Sequence, residues 1–349
     1  MIRKETRKIK VKDIYIGGDS PVSIQSMTNT DTRDAEKTIE QIRALMVAGV
    51  DIIRVAVPDM EAAEALKEIT KAIPIPVVAD IHFDYKLALK AIDNGISKLR
   101  INPGNIGGKE KIDILVQKCI EKDIPIRIGI NSGSLEEDIF IKYKKVTPEA
   151  LVESAMRNVR LLEKSDFHNI IISIKSSDVL VMMESYRLLA KKVDYPLHLG
   201  VTEAGTPYRG TIKSSIGIGG LLSEGLGDTI RVSLTGDPIE EVRVAREILK
   251  ATGHKKDGIE FVSCPTCGRT EINLIKIANE VEQALEGCKK NIKVAVMGCV
   301  VNGPGEAREA DIGVAGGKGS GVIFKKGKII RKVKEDEIVK ALLDEIENM

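Results

Sequence analysis

Two groups of residues have types and spacings suited to chemistry. The first is a set of thiols. Cys264-Pro265-Thr266-Cys267 is a Cys-x-x-Cys turn, and Cys299 follows 32 positions after Cys267. The next candidate ligand is Glu306 in Asn302-Gly303-Pro304-Gly305-Glu306, where two glycines and a proline favour a tight turn able to return a carboxylate towards Cys299. Three thiolates and one carboxylate suit a [4Fe–4S] cluster in which one iron keeps an exchangeable oxygen ligand. Zinc held by these thiols together with Cys288 is the structural alternative. Dithiol redox chemistry at Cys264 and Cys267 is weaker, because it leaves Cys299 without a role. Cys119, in the helical pattern Ile112–Ile120, reads as a core residue, and Cys288 as a structural one.

The second group is a series of cations placed inside apolar β-branched runs. They occur in Ile52-Ile53-Arg54-Val55-Ala56, Lys98-Leu99-Arg100-Ile101-Asn102, Ile126-Arg127-Ile128-Gly129-Ile130-Asn131, Ser173-Ile174-Lys175 and Thr229-Ile230-Arg231-Val232-Ser233. In a strand, alternate side chains face opposite ways, so Arg100 shares a face with Asn102 and Arg127 with Asn131. Asp80 and His82 share a face in the same way, as do Arg231 and Ser233. Five permanent cations gathered with a histidine call for an anion of several charges, and a diphosphate fits that better than one phosphate. Asp80 and Glu203 are candidate neutralising carboxylates.

These residues need elements to position them. Eight apolar runs, Val22–Thr28, Asp51–Val57, Pro76–Ile81, Ser97–Asn102, Ile126–Asn131, Asn169–Lys175, Leu197–Thr202 and Thr229–Leu234, alternate with segments of helical period. Helix starts are marked by Asp31-Thr32 before Ala35–Ala48, by Thr147-Pro148-Glu149 and by Asp237-Pro238. Eight βα units predict a (β/α)8 barrel, an open doubly wound sheet being the rival, and the barrel brings Arg54, His82, Arg100, Arg127, Lys175 and Arg231 to one mouth. The barrel is expected over residues 1–253, a polar linker over 254–258, and a small α+β domain carrying the thiols over 259–349. In that domain the pattern predicts a helix over Glu271–Leu285, strands at Lys293–Met297, Val322–Phe324 and Lys328–Lys332, and a final helix over Glu335–Glu347.

The composition narrows the function class. The 349 residues carry 53 Lys and Arg against 51 Asp and Glu, a net charge of +2. That balance gives no broad basic field, so nucleic-acid binding is not expected as the main activity. No run is long enough to span a bilayer and no secretory signal is evident, so a cytoplasmic location without membrane attachment is expected. Five cysteines, an odd number, argue against a disulfide framework.

Several motifs carry a resemblance. Ile24-Gln25-Ser26-Met27-Thr28-Asn29-Thr30, Ala79-Asp80-Ile81-His82-Phe83, Leu99-Arg100-Ile101-Asn102-Pro103-Gly104-Asn105 and Gly200-Val201-Thr202-Glu203-Ala204-Gly205 are followed by Arg231-Val232-Ser233, Ser263-Cys264-Pro265-Thr266-Cys267-Gly268-Arg269 and Met297-Gly298-Cys299-Val300-Val301-Asn302-Gly303-Pro304-Gly305-Glu306. In this order, over almost the whole chain, they resemble the 4-hydroxy-3-methylbut-2-enyl diphosphate synthase family. The resemblance implies reductive opening of 2-C-methyl-D-erythritol 2,4-cyclodiphosphate in isoprenoid biosynthesis, with two electrons passing singly through a [4Fe–4S] cluster. It implies cluster ligation by Cys264, Cys267, Cys299 and Glu306. Substrate contacts are implied for Arg54, His82, Arg100, Arg127, Asn131, Lys175, Arg231 and Ser233. Asp80 and Asn102 are expected at the same mouth, and Glu203 as proton donor. Flavodoxin or ferredoxin would supply the electrons, and the chain would form a homodimer.

Overall fold

The computed structural model describes residues 3–256, 258–299 and 307–349. Two compact units emerge, Met1–His254 and Lys255–Met349. The first begins with an antiparallel hairpin, β1 (Ile9–Val11) and β2 (Ile14–Ile16). Then come eight parallel strands: β3 (Ser23–Met27), β4 (Ile52–Ala56), β5 (Val77–Asp80), β6 (Lys98–Ile101), β7 (Ile126–Asn131), β8 (Ile170–Lys175), β9 (His198–Leu199) and β10 (Thr229–Ile230). They pair in the order β8-β7-β6-β5-β4-β3-β10-β9. The ring closes where Ile172 bridges Leu197 and donates its N–H to Pro196 C=O at 2.9 Å. This is the expected (β/α)8 barrel.

Local chemistry places its helices. Thr147 and Asp237 cap the helices Pro148–Glu163 and Pro238–Ala251, each with a proline in the first turn, where a missing N–H costs nothing. The helix Ala35–Ala48 is capped by Asp34 rather than by Asp31 or Thr32, because Asp31 C=O accepts from Asp34 N–H in the preceding turn. The outward set of strand residues, including Leu99, Ile101, Ile126, Ile128 and Ile130, is buried in one core against the helices. Inward-facing Ile52, Val78 and Ile171 instead pack on Ile9, Val11 and Ile16 of the hairpin. The N-terminal segment, which reads from sequence only as basic, therefore plugs the N-terminal end of the barrel. Polar chemistry is left to the opposite end.

The second unit is a five-stranded sheet: β11 (Ile259–Ser263), β12 (Ile292–Met297), β13 (Ile312–Gly317), β14 (Ser320–Lys325) and β15 (Lys328–Lys334), in sequence order. The first three are parallel and the last three antiparallel. Helices Leu274–Ala284 and Ile338–Glu347 cover one face, packing Ile277, Val281, Ile338 and Leu342 with Val294, Val296, Val314 and Ile323. The first of these helices starts three residues later than its pattern suggests, because Asn273 caps it through Lys276 N–H. Strand β13 reads from sequence only as glycine-rich. A Cβ on Gly313 would lie 2.5 Å from the Phe324 ring, so glycine permits the close packing there. Among the described residues no helix is long and apolar enough to cross a membrane.

Candidate active site

The barrel mouth holds a polar cavity of about 140 Å3 lined by Arg54, Asp80, His82, Arg100, Arg127, Asn131, Ser173, Lys175, Thr202 and Arg231. Strand register brings these groups together, since Asp80 lies beside Arg100, Arg100 beside Arg127, and Asn131 beside Lys175. Two glycines make the room the long cations need. A Cβ at Gly129 would lie 2.4 Å from Arg100 Nε, and one at Gly200 would lie 3.1 Å from Lys175 Nζ. The side chain from one strand thus lies across the bare backbone of the next.

Among the described residues Asp80 is the only carboxylate in the lining. Arg100 Nη1 donates to it at 3.0 Å, and Arg54 Nε stands 3.6 Å away. Arg100 also donates to His82 Nε2 at 2.8 Å, which requires that nitrogen to be unprotonated. Burial opposes the Asp80 charge, but Arg54, Arg100 and Arg127 overcome it and hold its pKa at about 2. For the cations burial acts with their mutual repulsion. Arg54 is lowered to about 10, and Lys175 is pushed well below the usual lysine range by burial and then by Arg231, Arg54, Arg127 and Arg100. Arg127 is fully buried, and its three guanidinium nitrogens find no partner among the described residues. Five cations against one carboxylate leave a formal charge of 5 − 1 = +4 on the lining. Such a site is arranged to be completed by an anion.

Other expected residues lie elsewhere. Asn102 does not line the cavity: its side chain accepts from Gly104 N–H at 3.2 Å and caps the turn Pro103–Ile106. Ser233 is half-buried beyond the end of β10 and outside the lining. Glu203 is exposed on the loop after β9, in a left-handed backbone conformation with φ +51°, and pairs with none of the mouth cations. The second carboxylate near the mouth is instead Glu241, buried on the helix Pro238–Ala251. It stands 3.5 Å from Arg231 and accepts from Leu234 N–H at 3.0 Å and Ser26 Oγ at 3.2 Å. Ser173 and Thr202 were missed, although Ser173 shares a strand face with Lys175 by the same period-two rule.

In the second unit the thiols cluster at one end of the sheet. Cys264 follows β11 and Cys299 follows β12, two parallel strands in register at Ser263 and Val296. Gly298 N–H donates to Cys264 Sγ at 3.1 Å. Cys267, on the same loop as Cys264, is exposed, and the Arg269 backbone N–H lowers its pKa towards the thiolate form. Cys288 precedes β12 and sits at its other end, roughly 17 Å away at the usual strand rise. That distance removes the four-thiol zinc alternative. Among the described residues no three ligating side chains converge closely enough to hold a metal ion. Glu306 lies outside the described residues. The donor set itself, free thiols on adjoining loops with one held towards its thiolate, suits an iron–sulfur group.

Comparison with known proteins agrees with both halves. The barrel of a dihydropteroate synthase from Stenotrophomonas maltophilia superposes with a TM-score of 0.52 at 13% identity, over 70% of this chain and 97% of that one, a likeness of fold alone. Full-length relatives are much nearer. One from Clostridium acetobutylicum is 69% identical over 349 residues, all of both chains, and one from Geobacter sulfurreducens is 57% identical over 348 residues, 100% of this chain and 99% of the other. Both are named 4-hydroxy-3-methylbut-2-en-1-yl diphosphate synthase (flavodoxin). The GcpE TIM-barrel domain matches residues 6–246 and the GcpE protein C-terminal domain residues 260–348. This chain belongs to the GcpE family.

Proposed function

We propose that the chain reduces 2-C-methyl-D-erythritol 2,4-cyclodiphosphate to (E)-4-hydroxy-3-methylbut-2-enyl diphosphate, opening the ring and losing one hydroxyl as water. Full-length identity to synthases of that name supports the reaction. The observation in the molecule that carries it is the mouth of five cations with one carboxylate, an excess of positive charge matched to a diphosphate. Arg54, Arg100, Arg127, Lys175 and Arg231 bind the phosphate oxygens, with His82, Asn131 and Ser233 as further partners. Asp80 keeps Arg54 and Arg100 extended towards the ligand. As the ring oxygen departs with its phosphate, the same cations stabilise the charge it gains.

Cys264, Cys267, Cys299 and Glu306 would hold an iron–sulfur cluster of the [4Fe–4S] type, which would supply the two electrons singly. Glu203 donates a proton to the leaving hydroxyl, a role that suits a carboxyl on a strained loop at the barrel's C-terminal face. The electron donor is a flavodoxin, as in the relatives' names, and a cytoplasmic homodimer belongs to the same reading. Anaerobic incubation of the purified protein with the cyclic diphosphate and reduced flavodoxin tests it. Release of the allylic diphosphate is expected. Recovery of intact substrate from protein that holds the cluster would overturn it.

A further inference from the structure

The hairpin β14–β15 ends the small sheet in an unusual way. From Lys325 to Lys334, six of ten residues are cationic (Lys325, Lys326, Lys328, Arg331, Lys332 and Lys334) and none is acidic. All six are exposed and none forms an ion pair among the described residues. In their midst Ile329 and Ile330 are 61% and 46% exposed. The register shift between Ile323 and Phe324 sets Ile330 outside the regular pairing, so the strand twists there and offers cations from both faces. Lysines on an edge strand commonly serve to discourage strand addition. That role needs one or two charges and no exposed isoleucines. An apolar centre ringed by unpaired cations has instead the make-up of a protein-docking surface for an acidic partner.

Its place in the sheet ties it to the thiols. Glu335, which follows β15, accepts from Asn273 N–H at 2.8 Å and donates its own N–H to Gly319 C=O at 3.3 Å. Asn273 ends the loop that begins at Cys264, and Glu271 N–H on that loop donates to Gly298 C=O at 3.0 Å, next to Cys299. The basic strand therefore runs up to the thiol-bearing loops. Across the sheet it lies three strand spacings from β12, roughly 14 Å, with Lys334 at the thiol end and Lys328 and Ile329 level with Val294 and Ala295, five and four residues before Cys299. Exposed Arg269 and Lys318 extend the positive surface at that end.

We propose that the β14–β15 hairpin is the docking surface for the acidic face of the electron-carrier protein, Ile329 and Ile330 forming its apolar centre and Lys328, Arg331 and Lys332 its charged rim. This rests on the reading above that a flavodoxin delivers the electrons, one from each carrier molecule, two deliveries for each ring opened. Because the complementarity is of exposed charges, association falls steeply with salt.

The test uses the holoenzyme, a bacterial flavodoxin, and the variant K328E/R331E/K332E, with K276E/K340E on the helical face as a control of equal sign and smaller extent. Calorimetric binding at low salt should weaken at least tenfold in the hairpin variant and stay within twofold in the control. Turnover driven by reduced methyl viologen, which needs no docking, should be unchanged in both, showing that fold and cluster are intact. Equal binding by wild type and hairpin variant, or equal weakening in the control, overturns the surface while leaving the donor class standing. Wild type that turns over with viologen but neither binds flavodoxin nor accepts its electrons overturns the donor reading and the surface with it. Loss of binding to RNA or anionic vesicles in the hairpin variant, with flavodoxin binding kept, assigns the hairpin to another partner and overturns the proposal.

Discussion

Arg127 is the most exacting probe of the mouth. Its side chain is fully buried without a partner among the described residues, and its register neighbour on β6 is Arg100. Strands about 4.8 Å apart bring the two guanidinium charges to roughly 6 Å, where an effective dielectric of about 20 gives a repulsion of about 3 kcal/mol. Asp80 offsets part of this. Arg127→Met removes the charge with little loss of volume, so the ligand-free barrel should gain about 2 kcal/mol, consistent with replacement of buried charges by apolar groups. At about 2–4 °C per kcal/mol, that is a rise in Tm of about 4–8 °C. Affinity for the cyclic diphosphate should fall by about 3 kcal/mol, roughly a hundredfold, through loss of a charge-assisted contact. Thermal scans with and without ligand, together with calorimetric titration, measure both. A variant less stable than wild type without ligand, or one that binds as tightly, would refute the reasoning.

Other outcomes follow from the same geometry. Asp80 has a folded pKa of about 2 against a reference of 3.8, so its stabilisation, about 2 kcal/mol, is full above about pH 4 and is lost as pH falls towards 2. Asp80→Asn should lower stability at neutral pH by that order and flatten this part of the acid profile, as urea titrations at several pH values would show. Anion binding favours the protonated forms of Lys175 and His82, whose pKa values burial lowers, so binding should take up protons and tighten as pH falls. Calorimetry in buffers of different ionisation enthalpy reads that uptake, and a null result excludes the linkage. Glu203→Gln should keep the cluster's absorbance and slow turnover at least tenfold; unchanged turnover removes Glu203 from the proton step.

The barrel was legible because its strands carry a simple code. Period-two alternation puts Arg100 and Arg127 inside and Leu99 and Ile128 outside, and all four lie where that rule sends them. Beyond the strands the rule no longer applies: at Asn102 the chain has already turned into a cap, and Ser233 lies past the end of β10. It was under-used at Ser173. Glu241 was not legible, because its approach to Arg231 depends on how a helix distant in sequence from Ser26 packs beside β3. The hairpin β1–β2 and strand β13 escaped for a related reason. Three-residue strands show almost no period, and the glycines of β13 are set by the bulk of Phe324 and Ile272 across the sheet. Cys288 was ambiguous by spacing alone until the sheet placed it at the end remote from Cys264.

The central claim joins an anion-binding barrel to an iron–sulfur unit in one reductase. Iron, zinc and acid-labile sulfide per chain in anaerobically purified protein test it most directly. About four iron and about four sulfide are expected, as a [4Fe–4S] cluster requires. Zinc without sulfide, in protein that cannot be reconstituted with iron, would contradict the account.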